Sequence, residues 1–256
     1  MLPILFQDDH VVAIHKPAGL LVHRSELDRH ETRFAVQLLR DQLGRHVHPA
    51  HRLDRGTSGV LVFALDRDTA RQLGGQFERQ EVAKTYLAVV RGHPPEAGRI
   101  DHALSRRRDD AEWVGDEASG AAQPAVTDFR TLATCELPFA VDRYPSGRYA
   151  LVELTPHTGR KHQIRRHLKH LSHPIIGDAT FGKGRHNRFF QQQFGCHRML
   201  LACARMQFVH PLSGAPLDVV APPDGDFAAL LDALGWANAL PPGLRPSRLA
   251  VSSAPC

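Results

Sequence analysis

The sequence predicts an α+β fold, a mixed, mostly antiparallel sheet with flanking helices. Two observations point there: apolar strand segments outnumber helical ones, and short turns often join the strands directly. No internal repeat suggests a solenoid, and 256 residues suffice to bury a substantial core.

The elements follow in order. Residues 3–15 lead into a short apolar strand, Val11-Val12-Ala13-Ile14, and Lys16-Pro17-Ala18-Gly19 is a turn before extended Leu20-Leu21-Val22. Residues 32–43 read as a helix, with Ala35, Leu38, Leu39 and Leu43 on one face and Thr32 as its N-cap. Residues 60–65 are an apolar strand. Residues 66–80 form a second helix, capped by Asp66 or Asp68, with Ala70, Leu73 and Phe77 as its stripe. The β-branched and aromatic content of 82–91 predicts a strand. The charged stretch 93–122, with Arg106-Arg107-Arg108-Asp109-Asp110, reads as a long mobile insertion rather than a domain boundary. Strands resume at 124–134 and 148–155. A helix is expected over about 159–171, striped by Ile164, Leu168 and Leu171. Residues 199–220 predict two strands around His210-Pro211-Leu212-Ser213-Gly214, and a short helix lies near 226–235. One domain over 1–240 is therefore expected, followed by a disordered Pro-rich tail over 241–256.

The formal net charge is +5, and only five of the 32 cationic residues are lysine. Guanidinium groups bind phosphate in a bidentate way and stack on bases, so this bias favours an RNA partner; a GC-rich genome would give the same bias. Cys135, Cys196, Cys203 and Cys256 show no CxxC spacing and read as thiols in a reducing compartment. The first residues have no basic region followed by an apolar run, and no apolar stretch is long enough to span a bilayer. These features predict a soluble cytoplasmic protein.

Three strings carry chemistry. In His51-Arg52-Leu53-Asp54-Arg55-Gly56-Thr57-Ser58-Gly59, a carboxylate sits between two arginines and runs into a Gly/Thr/Ser turn ahead of a rigid strand. Flanking positive charge favours the ionised carboxylate, suited to a nucleophile or base. In Lys84-Thr85-Tyr86-Leu87-Ala88, Tyr86 shares a strand face with Lys84 and Ala88. It is either a core tyrosine or an aromatic floor for a base. In Thr158-Gly159-Arg160-Lys161-His162-Gln163-Ile164-Arg165, basic residues open a helix, where the macrodipole disfavours cations. Such an arrangement suits a phosphate site made by free N–H groups with Arg160 and Lys161. Lys161, Arg165 and Lys169 would then form a basic stripe opposite the apolar one.

Two further patterns carry less. Gly177-Asp178-Ala179-Thr180-Phe181-Gly182-Lys183 begins like a phosphate-binding loop, but Gly184 stands where a Ser or Thr should hold magnesium. The densest histidine groups, His46/His48/His51 and His162/His167/His170/His173, lack metal-ligand spacing, so no metal is expected.

The three chemical strings, in this order, resemble the motifs of the RluA-type RNA pseudouridine synthase family. Ile14-His15-Lys16-Pro17-Ala18-Gly19-Leu20, His173-Pro174-Ile175-Ile176-Gly177-Asp178 and His210-Pro211 extend the likeness over about 3–235. The resemblance implies the family's catalytic fold, with no S4-type RNA-binding module expected before it. It also implies isomerisation of a uridine in RNA to pseudouridine without any cofactor. Asp54 would be the catalytic carboxylate, Arg165 its partner and Tyr86 the active-site aromatic. Arg52 would fill the space left by the flipped base. Leu53 and Ile164 would wall the site, with Arg160 and Lys161 on the RNA. The likeness is nearest to the tRNA-modifying branch, implying uridine 65 of a tRNA; separately, a monomer is expected. A 23S rRNA substrate is the alternative, and a non-catalytic RNA-binding protein a more distant one.

Overall fold

The computed structural model describes residues 1–23, 31–105 and 121–245. Among these, ten strands join in one sheet, with five α-helices packed around it. The elements are β1 (Ile4–Gln7), β2 (Val11–Lys16), α1 (Ala35–Leu43), β3 (His48–Pro49), β4 (Ser58–Ala64), α2 (Arg67–Glu78), β5 (Ala83–Arg91), β6 (Ala97–Asp101), β7 (Val126–Leu137), β8 (Gly147–Pro156), α3 (Gln163–His170), α4 (Gly184–Phe194), β9 (Leu201–Val209), β10 (Pro216–Val220) and α5 (Gly225–Ala233). The strand order is β1-β2-β4-β9-β5-β8-β7-β6, with β3 also on β4 and β10 also on β9.

One junction sets the site. The pairing of β4 with β9 is parallel and short, Ser58 opposite Ala202 and Gly59 opposite Cys203, whereas the other strand pairs described are antiparallel. Gly59 has φ +108°, and a Cβ there would lie 2.1 Å from the Cys203 carbonyl oxygen. Only glycine permits that approach. The junction divides the sheet into two halves. On one side β2 and β4, buried along their whole lengths, form a core with α1 and α2 through Leu39, Leu61, Phe63 and Leu73. On the other, β5 and β8 send Leu87 and Leu151 to α4 and α5, and Val90 and Val152 toward α3.

Local caps follow the sequence in part. Asp66 caps α2 by accepting from the Thr69 amide at 2.8 Å and hydroxyl at 2.7 Å. Thr32 does not cap α1. The cap position is Phe34, and the Ala35 and Val36 amides donate instead to the Leu21 and Val22 carbonyls. The extended segment at 21–22 thus supplies the acceptors a capping side chain would have provided.

Four expectations change. The helix expected from 159 starts at Gln163, after a left-handed His162. Gln163 holds the preceding turn: its Oε1 accepts from the Arg160 amide and the Thr158 hydroxyl, and its Nε2 donates to Val126 O and Thr127 Oγ1. Lys161 is therefore off the helix and Arg165 is buried, so the basic stripe does not form. Part of the expected insertion is a strand, since β6 pairs with β7 from Ala97 to Asp101; residues 106–120 lie outside the described residues. Helix α4 was not expected; it forms around buried His186 and Phe190. The first residues of the tail expected from 241 are structured. Pro242–Leu244 makes a 3-10 turn, and Leu244 is buried with Leu240 in the second core half; residues 246–256 lie outside the described residues.

Candidate active site

The loop between β3 and β4 carries Asp54, and the fold grips it from below. The Thr57 amide donates to Asp54 O, closing a turn, while Leu53 sinks into the core at 6% exposure. The Arg55 carbonyl accepts from the Gly19 amide at 2.8 Å. It also accepts from Lys16 Nζ at 3.3 Å. The fully buried Lys16 donates further to Leu20 O at 2.7 Å and Pro17 O at 2.9 Å. Its three ammonium protons thereby meet three carbonyls, which offsets its loss of water. Burial first, then the charge of Arg198, pushes its pKa down to about 7.

The charge partner of Asp54 is distant in sequence. Arg165 Nη1 donates to Asp54 Oδ2 at 3.0 Å, across 111 residues. Neither adjacent arginine plays this part. Arg52 is exposed at the rim, and Arg55 turns to Glu31 and the Gly19 carbonyl. A turn points successive side chains apart, so Arg55 serves other contacts and Arg52 faces outward.

Arg165 is itself held by Asp178. Its Nε and Nη2 reach the two carboxylate oxygens at 2.7 and 2.9 Å. The amides of Thr180 and Phe181 also donate to Asp178 Oδ1, each at 2.9 Å. The Phe181 ring lies 5.0 Å below the Arg165 guanidinium carbon. Burial alone would raise the Asp178 pKa, but Arg165 and these amides outweigh it and hold the carboxyl below its usual range. Burial opposes charge on Arg165 too, and Asp178 together with Asp54 keeps its pKa above the ordinary arginine value. Sequence reasoning missed Asp178 as a site residue. It sits in the Gly177–Lys183 string that imitates a nucleotide loop, and only the close return of that loop to α3 reveals its use. His162 was missed too; its Nε2 is 3.8 Å from Asp54 Oδ1.

Tyr86 stands on β5, opposite Cys203 on β9 and Leu154 on β8. Burial first, and then Cys203 and Asp54, push its phenol well above 10, so it stays neutral through the physiological range. A β-bulge lies beside it: Thr85 opposes Arg205 and Tyr86 opposes Cys203, leaving Ala204 as the extra residue of β9.

A cavity of about 380 Å³ joins these groups. Arg52, Leu53, Asp54, Tyr86, Arg160, Lys161, Ile164 and Arg165, the eight residues singled out from sequence, all line it. Leu53 and Ile164 give it apolar surface. Arg160 donates from Nε to Pro124 O at 3.1 Å. The arrangement presents a carboxylate anchored by a guanidinium, a neutral aromatic face and a cationic rim. It suits a flat, uncharged ring attached to a phosphate-bearing chain.

The comparisons agree with that chemistry. The RNA pseudouridylate synthase family model matches residues 10–170. The chain is 48% identical over 241 residues to the tRNA pseudouridine synthase C of Yersinia pestis, covering 94% of each. It is 47% identical over 240 residues to the protein of the same name from Vibrio vulnificus (strain CMCP6), covering 94% of this chain and 98% of that one. Among solved structures it is similar to Human RNA Pseudouridylate Synthase Domain Containing 4, at TM-score 0.66 and 30% identity, covering 91% of this chain and 93% of that one. It is also similar to Human RNA Pseudouridylate Synthase Domain Containing 1, at TM-score 0.67 and 26% identity, covering 87% and 84%. With the motifs, the fold and the relatives in agreement, the chain belongs to the RNA pseudouridylate synthase family, in its RluA-type branch, and is an RNA pseudouridine synthase.

Proposed function

We propose that this enzyme converts uridine 65 of tRNA to pseudouridine, acting in the cytoplasm as a monomer. The tRNA assignment rests on the names of relatives that share nearly half its residues over almost the whole chain. The target uridine leaves its stack and enters the cavity, and Arg52 at the rim occupies the vacated space. Arg160 and Lys161 contact the RNA backbone at the mouth.

Asp54 is the nucleophile in the general sense of covalent catalysis. Arg165 orients it and offsets its desolvation. Tyr86 supports the uracil ring. Its neutral phenol makes stacking and hydrogen bonding its part, rather than service as a pre-formed base. Leu53 and Ile164 keep water from the detached base and so disfavour hydrolysis. Asp54 bonds to C1′ as the C1′–N1 electron pair leaves with the uracil, the base turns, C5 bonds to C1′ as the Asp54–C1′ bond breaks, and the freed carboxylate takes the C5 proton and passes it to water. The reaction is redox-neutral and draws on no cofactor. The observation that carries this reading is the 3.0 Å contact between Arg165 and Asp54 in the cavity that also holds Tyr86.

Carbodiimide-adduct primer extension tests it, on tRNA and 23S rRNA from cells lacking the gene and from cells complemented with wild type or Asp54→Asn. The expected result is a stop at tRNA position 65 that is lost on deletion and restored by wild type alone. Restoration by Asp54→Asn overturns the role of Asp54, and loss of an rRNA stop instead overturns the substrate.

A further inference from the structure

Lys84 is a cavity residue with no role so far. It lies on β5 two positions before Tyr86 and opposite Met206, is half-buried, and lines the same cavity as Asp54 and Tyr86. Among the described residues it has no hydrogen bond or ion pair, unlike Arg165, which is shared by two carboxylates. Burial lowers its pKa, with Cys203 acting in the opposite sense. A lysine desolvated without a carboxylate is costly, and that cost falls when a ligand brings negative charge or a strong acceptor.

Its placement says which part of a ligand it meets. Tyr86 lies opposite Cys203 of β9, which also faces Gly59 of β4, and Lys84 lies opposite Met206 further along β9. Asp54 lies four residues before Ser58, where β4 begins opposite Ala202, and so toward the end of β9 away from Met206. Along the cavity the order is therefore Asp54, Tyr86, Lys84. A pyrimidine lying on Tyr86 with its glycosidic end at Asp54 has its opposite edge at Lys84.

We infer that Lys84 reads that far edge, donating from Nζ to the O4 carbonyl of the flipped uracil. This rests on the proposed reading in which the target uracil occupies this cavity. Two consequences follow from the chemistry. When the C1′–N1 bond breaks, its electron pair goes to N1 and spreads over O2 and O4. The ammonium stabilises that charge, and no proton changes hands. A cytosine would present an amino group at the same place, so two donors would face each other and the base is rejected. Lys84 is thus both a specificity residue and an electrostatic stabiliser.

The test pairs a residue change with a single-atom change in the substrate. Wild type, Lys84→Met and Lys84→Gln are given tRNA carrying uridine or 4-thiouridine at the target position, and single-turnover pseudouridine formation is measured beside tRNA affinity and thermal midpoint. A hydrogen bond from a charged donor predicts that sulfur slows wild type about tenfold or more and slows the variants less than about threefold. The variants should also lose about tenfold or more on uridine while holding tRNA affinity. Should Lys84→Met fold poorly, the Lys84→Gln protein carries the same comparison. A sulfur effect of equal size in all folded proteins, or variant rates equal to wild type on uridine, overturns the inference while leaving the proposed function intact. A wild type inactive on the uridine transcript overturns that function, and this inference with it.

Discussion

Arg165 and Asp178 form a buried fork, Nε and Nη2 reaching the two carboxylate oxygens at 2.7 and 2.9 Å. The third guanidinium nitrogen remains for Asp54, at 3.0 Å. One planar cation is therefore fixed by a structural carboxylate and presented to the candidate catalytic one. A lysine lacks the fork that makes this division possible.

Breaking the fork should uncouple position from charge. Asp178→Asn is expected to lose about 3 kcal/mol of stability, because a buried guanidinium loses its counter-charge. Turnover should fall by about tenfold or more in kcat, with KM for RNA nearly unchanged, since Asp178 lies behind Arg165 and away from the RNA. Urea unfolding and steady-state kinetics check both. A variant that unfolds more easily but keeps wild-type kcat would make Asp178 purely structural.

Gly59→Ala should open the β4–β9 junction. The added Cβ meets the Cys203 carbonyl oxygen at 2.1 Å, on a backbone with φ +108°. Backbone atoms on both sides leave no flexible group to move, so a loss of about 3 kcal/mol or more is expected. Activity should fall with it, because Asp54 precedes this junction and Tyr86 pairs with Cys203 across it. A thermal midpoint within two degrees of wild type, on a scale where about 1 kcal/mol moves it by ~2–4 °C, contradicts the argument.

Lys16 should give stability a pH slope. Its folded pKa is pushed down to about 7 from the ordinary 10.5. Between those values the unfolded chain binds a proton that the folded chain does not, so the Lys16 contribution rises with pH across that window. It is unfavourable and constant below about 7. The slope is at most about 1.4 kcal/mol per pH unit. Urea unfolding of wild type and Lys16→Met at pH 7.5, 8.5 and 9.5 isolates it, since the opposing effect of the buried thiols is common to both. Parallel stability curves would mean that the three carbonyls keep Lys16 charged throughout.

RNA affinity should weaken with salt, because phosphate contacts release counterions. Arg52→Ala is expected to flatten the slope of log affinity against log salt by about one. Filter binding from 50 to 300 mM salt measures it. An unchanged slope would place Arg52 away from phosphate and leave only its role in the vacated stack.

The buried strands were legible because their apolar runs report burial directly, as β4 shows with seven buried residues, whereas β6, with only Ile100 buried, was read as part of an insertion. Helix α4 was harder to see. Its aromatic residues Phe189, Phe190 and Phe194 leave a broken stripe, and its neighbours are charged or amide side chains. The start of α3 was misjudged for a related reason: the bonds of Gln163 to Val126 and Thr127 cross 37 and 36 residues, beyond any local pattern.

By itself the sequence determined the fold class, the net positive charge and the residues that gather at the cavity. Fold class and charge are properties of residue type and local spacing, while the cavity residues, Arg165 as the partner of Asp54 among them, came from the resemblance of the three motifs to a known family. Tertiary structure decided how those residues are wired. Arg52 and Arg55 are neighbours of Asp54 in the chain, yet Arg52 is exposed at the rim and Arg55 turns to Glu31 and Gly19, while Arg165 reaches Asp54 from α3 and Asp178 fixes Arg165 from the following loop. Charge pairing depends on distance and direction in space. A turn separates adjacent side chains, and the return of the chain past the β4–β9 junction brings distant ones within hydrogen-bonding reach.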